Sequence, residues 1–154
     1  MPRIIEKLSY LFATVLRIGH LPWAPGTWGS LAALLTWYSI VDTISIIILI
    51  VITLILLILG VYTSSITERI VSANDPSVVV IDEWVGQWIA LLLLPKSILW
   101  GVAAFILFRL FDIWKPFPIK KMDQLHGGIG IMLDDVIAGA YALIILNGTR
   151  YFII

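Results

Sequence analysis

From Thr43 to Thr67 the chain carries no charged residue, and the centre of that stretch, Ile44–Tyr62, reads ISIIILIVITLILLILGVY. About 20 apolar residues in a helix rising 1.5 Å each span a hydrocarbon layer of roughly 30 Å. The apolar residues run all round, so the segment has no solvent face. Its isoleucines would suit a strand in water, but a lone strand in lipid leaves its backbone unpaired, so the segment is predicted helical. The composition agrees. Of 154 residues 60% are hydrophobic and 13% charged, against about 25% charged in an ordinary soluble domain, and mean hydropathy is +1.03. Ten basic residues balance ten acidic ones, which leaves no basic field for nucleic acid. The absence of cysteine excludes disulfides, thiolate metal sites and a cysteine nucleophile. The expected architecture is all-α: a compact integral membrane bundle with short or broken helices, forming one domain over residues 1–154.

The other apolar segments are shorter. Ser30–Val41 follows the glycine- and proline-rich His20–Ser30, Trp84–Leu94 ends at Pro95-Lys96, and Ser97–Phe111 resumes with good helix formers. Val136–Leu146 runs to Asn147-Gly148, a combination that stops helices. Near the N-terminus, Leu8, Leu11, Phe12 and Val15 fall at helical spacing beside basic residues. That pattern predicts an amphipathic helix on the cytoplasmic membrane surface and no cleaved signal peptide. Pairing the apolar segments into two hairpins, with turns at Asp42-Thr43 and Pro95-Lys96, leaves Lys115, Lys120 and Lys121 inside. The same path brings Asp75, Asp82, Glu83, Asp112, Asp123, Asp134 and Asp135 to one face of the membrane.

Three clusters carry chemistry. In DPSVVVIDEWVG, Asp82 and Glu83 open an apolar helix; acids there complement the helix dipole, yet a pair entering a membrane segment is costly and points to function. In FRLFDIWKPFPI, Arg109, Asp112 and Lys115 are spaced three apart, so they form either an internal ion pair or a phosphate clamp beside a metal-binding Asp112. In HGGIGIMLDD, the glycines allow backbone amides to approach an anion, and Asp134-Asp135 at a helix start would repel unless a cation lies between them. On their own, His126 and His20 read more readily as hydrogen-bonded structural residues than as ligands. Hard oxygen donors without cysteine select Mg²⁺ or Mn²⁺ over Zn²⁺. Carboxylates, a cation, Arg/Lys and glycines together indicate phosphoryl chemistry at a membrane face, on a phosphorylated lipid.

PWAPGTWGS at Pro22–Ser30, VVVIDEWVGQWIA at Val78–Ala90, FRLFDIWKPFPI and HGGIGIMLDDVIAG at His126–Gly139 together resemble the phosphatidylglycerophosphatase A family of bacterial membrane phosphatases. The resemblance implies an all-helical, multi-pass protein of the cytoplasmic membrane with its active site facing the cytoplasm. The implied reaction is Mg²⁺-dependent removal of the terminal phosphate of phosphatidylglycerophosphate, giving phosphatidylglycerol and inorganic phosphate. Asp82, Glu83, Asp112, Asp134 and Asp135 carry over as catalytic candidates, with Asp82, Glu83, Asp112 and Asp135 as metal ligands. Arg109, Lys115 and His126 carry over as phosphate-binding candidates. A water, or alternatively a carboxylate, would attack phosphorus in line. The N-terminal glycine-rich stretch is reduced here to Gly19-His20-Leu21, so a phosphate role for that loop does not carry over. Two other classes compete: a small transporter using the clustered carboxylates, with a homo-oligomer supplying further helices, and a non-catalytic membrane assembly subunit. The Asp-Gly-rich signature of the lipid phosphotransferases is absent.

Overall fold

The computed structural model describes residues 2–153. Among them are seven α-helices and no strand: α1 (Pro2–Ala13), α2 (Pro25–Ile40), α3 (Ile46–Val71), α4 (Ile81–Leu91), α5 (Ile98–Trp114), α6 (Ile119–Met122) and α7 (Gly127–Ile153). The short α4 is the hub. It packs against α2, α3, α5 and α7, and eight of its eleven residues, including Asp82 and Gln87, are buried. Helices on every side explain why this segment is apolar nearly all round.

Glycines set the closest approach. A Cβ on Gly139 would lie 2.4 Å from the Gly86 carbonyl oxygen, and one on Gly86 would lie 2.7 Å from the Asp135 carbonyl oxygen. The α4 and α7 backbones therefore touch where these two glycines meet, the small-residue crossing familiar from membrane helices. A hydrogen bond from Trp88 Nε1 to the Ala33 carbonyl (2.9 Å) ties α4 to α2. The core around this hub holds Trp37, Leu91, Phe108, Ala138 and Ala142.

The outside is aliphatic. α3 has 26 residues and α7 has 27, so each is about 40 Å long and is long and apolar enough to cross a bilayer core. Only 22% of the apolar window of α3 is buried within the protein. A soluble core helix would be mostly buried, whereas Ile47, Leu54, Ile58 and Tyr62 all stand out from this one. Along α5, Leu99, Val102, Ile106, Leu110 and Ile113 form a second exposed stripe at helical spacing. Apolar surface this extensive is stable against lipid and not against water.

Three sequence expectations change. α2 begins at Pro25, not Ser30, because proline occupies the first helical turn, where its missing N–H costs nothing. The glycine-rich His126–Asp135 is not a loop: α7 starts at Gly127, and Asp134-Asp135 lie about two turns inside it. A Cβ on Gly128 would strike the Val61 carbonyl at 1.9 Å, and its N–H is bonded to Ser65 Oγ, so this glycine serves packing against α3. Asn147-Gly148 does not stop α7. Asn147 sends Nδ2 to the carbonyls of Leu143 and Leu92, and the helix continues to Ile153.

Candidate active site

The N-terminal ends of α2, α4 and α7 gather at one end of the bundle with the C-terminal ends of α3 and α5. Asp82 lies one turn before Gly86, and Asp135 one turn before Gly139, so the α4–α7 crossing sets these two acids beside each other. α5 returns antiparallel to α4 and delivers Arg109, Asp112 and, just past its end, Lys115. The five carboxylates singled out from sequence thus form two triads with ligand-grade oxygens within 4.8 Å of one another: Asp82, Glu83 and Asp135, and Asp112, Asp134 and Asp135.

The pocket has a rim and a floor. Arg109 Nη1 lies 2.5 Å from Asp112 Oδ2 and 3.7 Å from Glu83 Oε1, and all three side chains are about 15% exposed. Lys115 Nζ donates to Asp134 Oδ2 at 2.9 Å and to Asp123 Oδ1. Beneath them Asp82 and Asp135 are buried, and Asp82 Oδ1, Glu83 Oε2 and Asp135 Oδ2 have no hydrogen-bond partner. Arg109 Nε and Nη1 likewise lack an aligned acceptor. Buried carboxylate oxygens facing one another without a hydrogen-bond donor are costly, and such a cluster of oxygen donors could hold a metal ion.

Burial, reinforced by the neighbouring Glu83, pushes Asp82 well above the usual carboxylate range. Burial likewise raises Glu83 to about 7, with Asp112 adding to the effect and Arg109 opposing it. Burial works against the Lys115 ammonium, but its bonds to Asp123 and Asp134 outweigh that cost and hold it above the ordinary lysine range.

His126 is exposed and stands apart from both triads. It lines a cavity of about 270 Å³ with Glu68, Asp75 and Asp123, which adjoins the site through the Asp123–Lys115 pair. His20 bonds to Tyr10 Oη. Two residues of the site were missed in the sequence reading. A Cβ on Gly26, in the first turn of α2, would lie 2.0 Å from Glu83 Oε1 and 2.9 Å from Arg109 Nη1. The PGTWGS stretch therefore belongs to the site, although it forms a helix start and not a glycine loop. Gln87 is fully buried one turn beyond Glu83 on the same face, and neither of its amide atoms has a partner. A polar residue in so apolar a helix was the available signal.

Comparison with known proteins gives the class, that of a helical, membrane-associated phosphatase. More narrowly, the chain belongs to the phosphatidylglycerophosphatase A family, whose model matches residues 11–150. It is 38% identical over 150 residues to an Escherichia coli protein named phosphatidylglycerophosphatase A, covering 94% of this chain and 82% of that one. A Haemophilus influenzae protein of the same name is 39% identical over 157 residues, covering 97% and 96%. A Bacteroides thetaiotaomicron protein, provisionally named phosphatidylinositol-3-phosphatase, is 39% identical over 153 residues, covering 95% and 96%. No solved structure matches the chain.

Proposed function

We propose that this chain hydrolyses the terminal phosphomonoester of phosphatidylglycerophosphate, releasing phosphatidylglycerol and inorganic phosphate in a Mg²⁺-dependent reaction at the cytoplasmic face of the membrane. The observation that carries the reading is the set of unpartnered buried oxygens of Asp82, Glu83 and Asp135 under an arginine with unfilled donors. Asp82, Glu83 and Asp135 hold the cation, and Asp112 and Asp134 complete or orient its shell. When bound, the ion polarises the phosphoryl group and lowers the pKa of water. Arg109 takes a phosphate oxygen through Nε, and the pairing of its Nη1 with Asp112 and Glu83 fixes the guanidinium plane. Lys115, pinned between Asp123 and Asp134, adds positive charge at the rim. His126, in the adjoining cavity, is placed to meet the lipid headgroup on its way in.

The orientation rests on charge. Only Lys96 and Arg150 lie at the end of the bundle opposite the site, where they meet Asp42 and the Leu93 carbonyl. The other eight of the ten basic residues lie toward the site end, the bias expected of a cytoplasmic face. We read the chain as one folding unit, a reading supported by buried residues spread from Ala13 to Leu146.

The test is phosphate release by detergent-purified protein from phosphatidylglycerophosphate and, separately, from phosphatidylinositol 3-phosphate, each with Mg²⁺ and with chelator. The second lipid is included because of the Bacteroides relative's name. Turnover of the first lipid is expected to need Mg²⁺ and to fall at least about a hundredfold in Asp82→Asn and Asp135→Asn, both remaining folded. Release from the phosphoinositide alone would replace the substrate. No release from either lipid by folded protein would remove the phosphatase reading and make ion flux in liposomes the next measurement.

A further inference from the structure

The two carboxylate triads are not separate sites. They share Asp135, which is 2% exposed and whose Oδ2 has no partner. We propose that the pocket holds two divalent cations, one in each triad, with Asp135 giving a carboxylate oxygen to both. The inference rests on the metal-dependent reading above and deepens it from one ion to a pair.

Charge leads to the same number. Asp82, Glu83, Asp112, Asp134 and Asp135, with Asp123 at the rim, face Arg109 and Lys115, a formal excess of four negative charges. A phosphate monoester brings a further 1.5 to 2 negative charges near neutral pH. With one divalent ion the pocket is still negative when the ester arrives. With two it is formally neutral, so the ester is no longer repelled and phosphate can still leave. Paired ions are a recurrent solution to this problem, one facing each side of a phosphoryl group in displacement.

The two basic side chains do not exclude the second ion. Arg109 uses Asp112 Oδ2 and Lys115 uses Asp134 Oδ2. A carboxylate offers about four lone-pair positions, so both acids keep capacity toward Asp135. Asp134 Oδ1 accepts the Asp135 N–H at 3.0 Å, which fixes the Asp134 side chain against the backbone of Asp135. The second triad is thus clamped from outside by Arg109 and Lys115, and the first is left with free oxygens.

The probe is Mn²⁺ alone, titrated into the full-length chain in detergent and followed by electron paramagnetic resonance. Two Mn²⁺ are expected to bind per chain, with the six-line spectrum of an isolated ion giving way to a spin-coupled spectrum as the second enters. Asp112→Asn and Asp134→Asn should each bind one Mn²⁺ and lose the coupled signal, and Asp135→Asn should weaken both sites. Thermal melting verifies that each variant folds; if one of the first two does not, the other decides the point. Saturation of the wild-type chain at one Mn²⁺, or two ions with no coupling, overturns the pairing. Saturation at one ion with Mg²⁺-dependent phosphate release intact overturns the pair and leaves the phosphatase. Two coupled ions with no release from any lipid phosphate does the reverse.

Discussion

Gly26 stands where a single methyl group reaches the charged pocket. Its added carbon would fall 2.0 Å from Glu83 Oε1 and 2.9 Å from Arg109 Nη1, contacts relieved only when both side-chain ends shift. Because the obstruction is a side-chain end and not backbone, Gly26→Ala is expected to fold with an unchanged melting temperature and to lose roughly 10- to 100-fold in kcat. Phosphate release and a melting curve on one preparation check this, and full activity would show that Glu83 has room to spare. Proton linkage gives a second prediction. Asp82 and Glu83 are raised by burial, so the folded state binds more protons than the unfolded one. Without divalent ions, stability should therefore fall as pH rises from about 4.5, through the raised value near 7. A cation needs the ionised carboxylates, so the rise in melting temperature on adding Mg²⁺ should be larger at pH 8 than at pH 5.5. Equal shifts at both would mean that these carboxyls do not titrate with the metal. The acids were legible in the sequence because charge in an apolar chain stands out. Gly26 was not, since nothing in PGTWGS says which residue of another helix it will touch.

At the level of elements, the site depends on how closely α4 and α7 approach. The Gly86–Gly139 contact sets Asp82 and Asp135 one turn away on adjoining helices, and a larger residue at either glycine must push the helices apart. Gly86→Ala meets the Phe108 ring at 2.5 Å and the Asp135 carbonyl at 2.7 Å. The substitution should cost about 1–3 kcal/mol of stability and weaken metal binding together with activity. Gly148, on the same α7, has nothing within 4 Å, and Gly148→Ala should be neutral or stabilising by up to about 1 kcal/mol. Chemical unfolding of the pair in one detergent compares them; equal effects would mean that the crossing has slack. Helix number and type were readable from apolar runs and prolines, but helix ends were not. HGGIG reads as a loop because each glycine lowers helix propensity, whereas close packing of Gly128 on α3 decides the matter in favour of helix. Asn147-Gly148 reads as a stop until the Asn147 amide is seen bonded to Leu92 across the bundle.

Over the whole molecule, charge and apolar surface are segregated, and the direction of that segregation makes the last prediction. The site end carries eight basic residues and the opposite end only Lys96 and Arg150, while α3 and α5 present aliphatic side chains between the two ends. This much of the sequence reading depended on counting charges along a path; α4 and α5 do pair as an antiparallel hairpin, whereas α2 packs on α4 and α5 and not as a hairpin with α3. The burial of α4 by four neighbours did not follow from its sequence, because a buried core helix and a short membrane helix are equally apolar. Orientation can be measured directly because the chain has no cysteine, so a single introduced thiol is the only one present. Lys120→Cys places it on exposed α6 at the site end, and Thr43→Cys on the exposed α2–α3 turn at the other. Neither position touches the carboxylate pocket. With a membrane-impermeant maleimide, the Lys120 position should label in inverted vesicles and stay protected in intact spheroplasts, and the Thr43 position should do the opposite. The reverse pattern would put the pocket on the outer face, and labelling of both positions from one side would mean that the two ends do not lie across the membrane from each other.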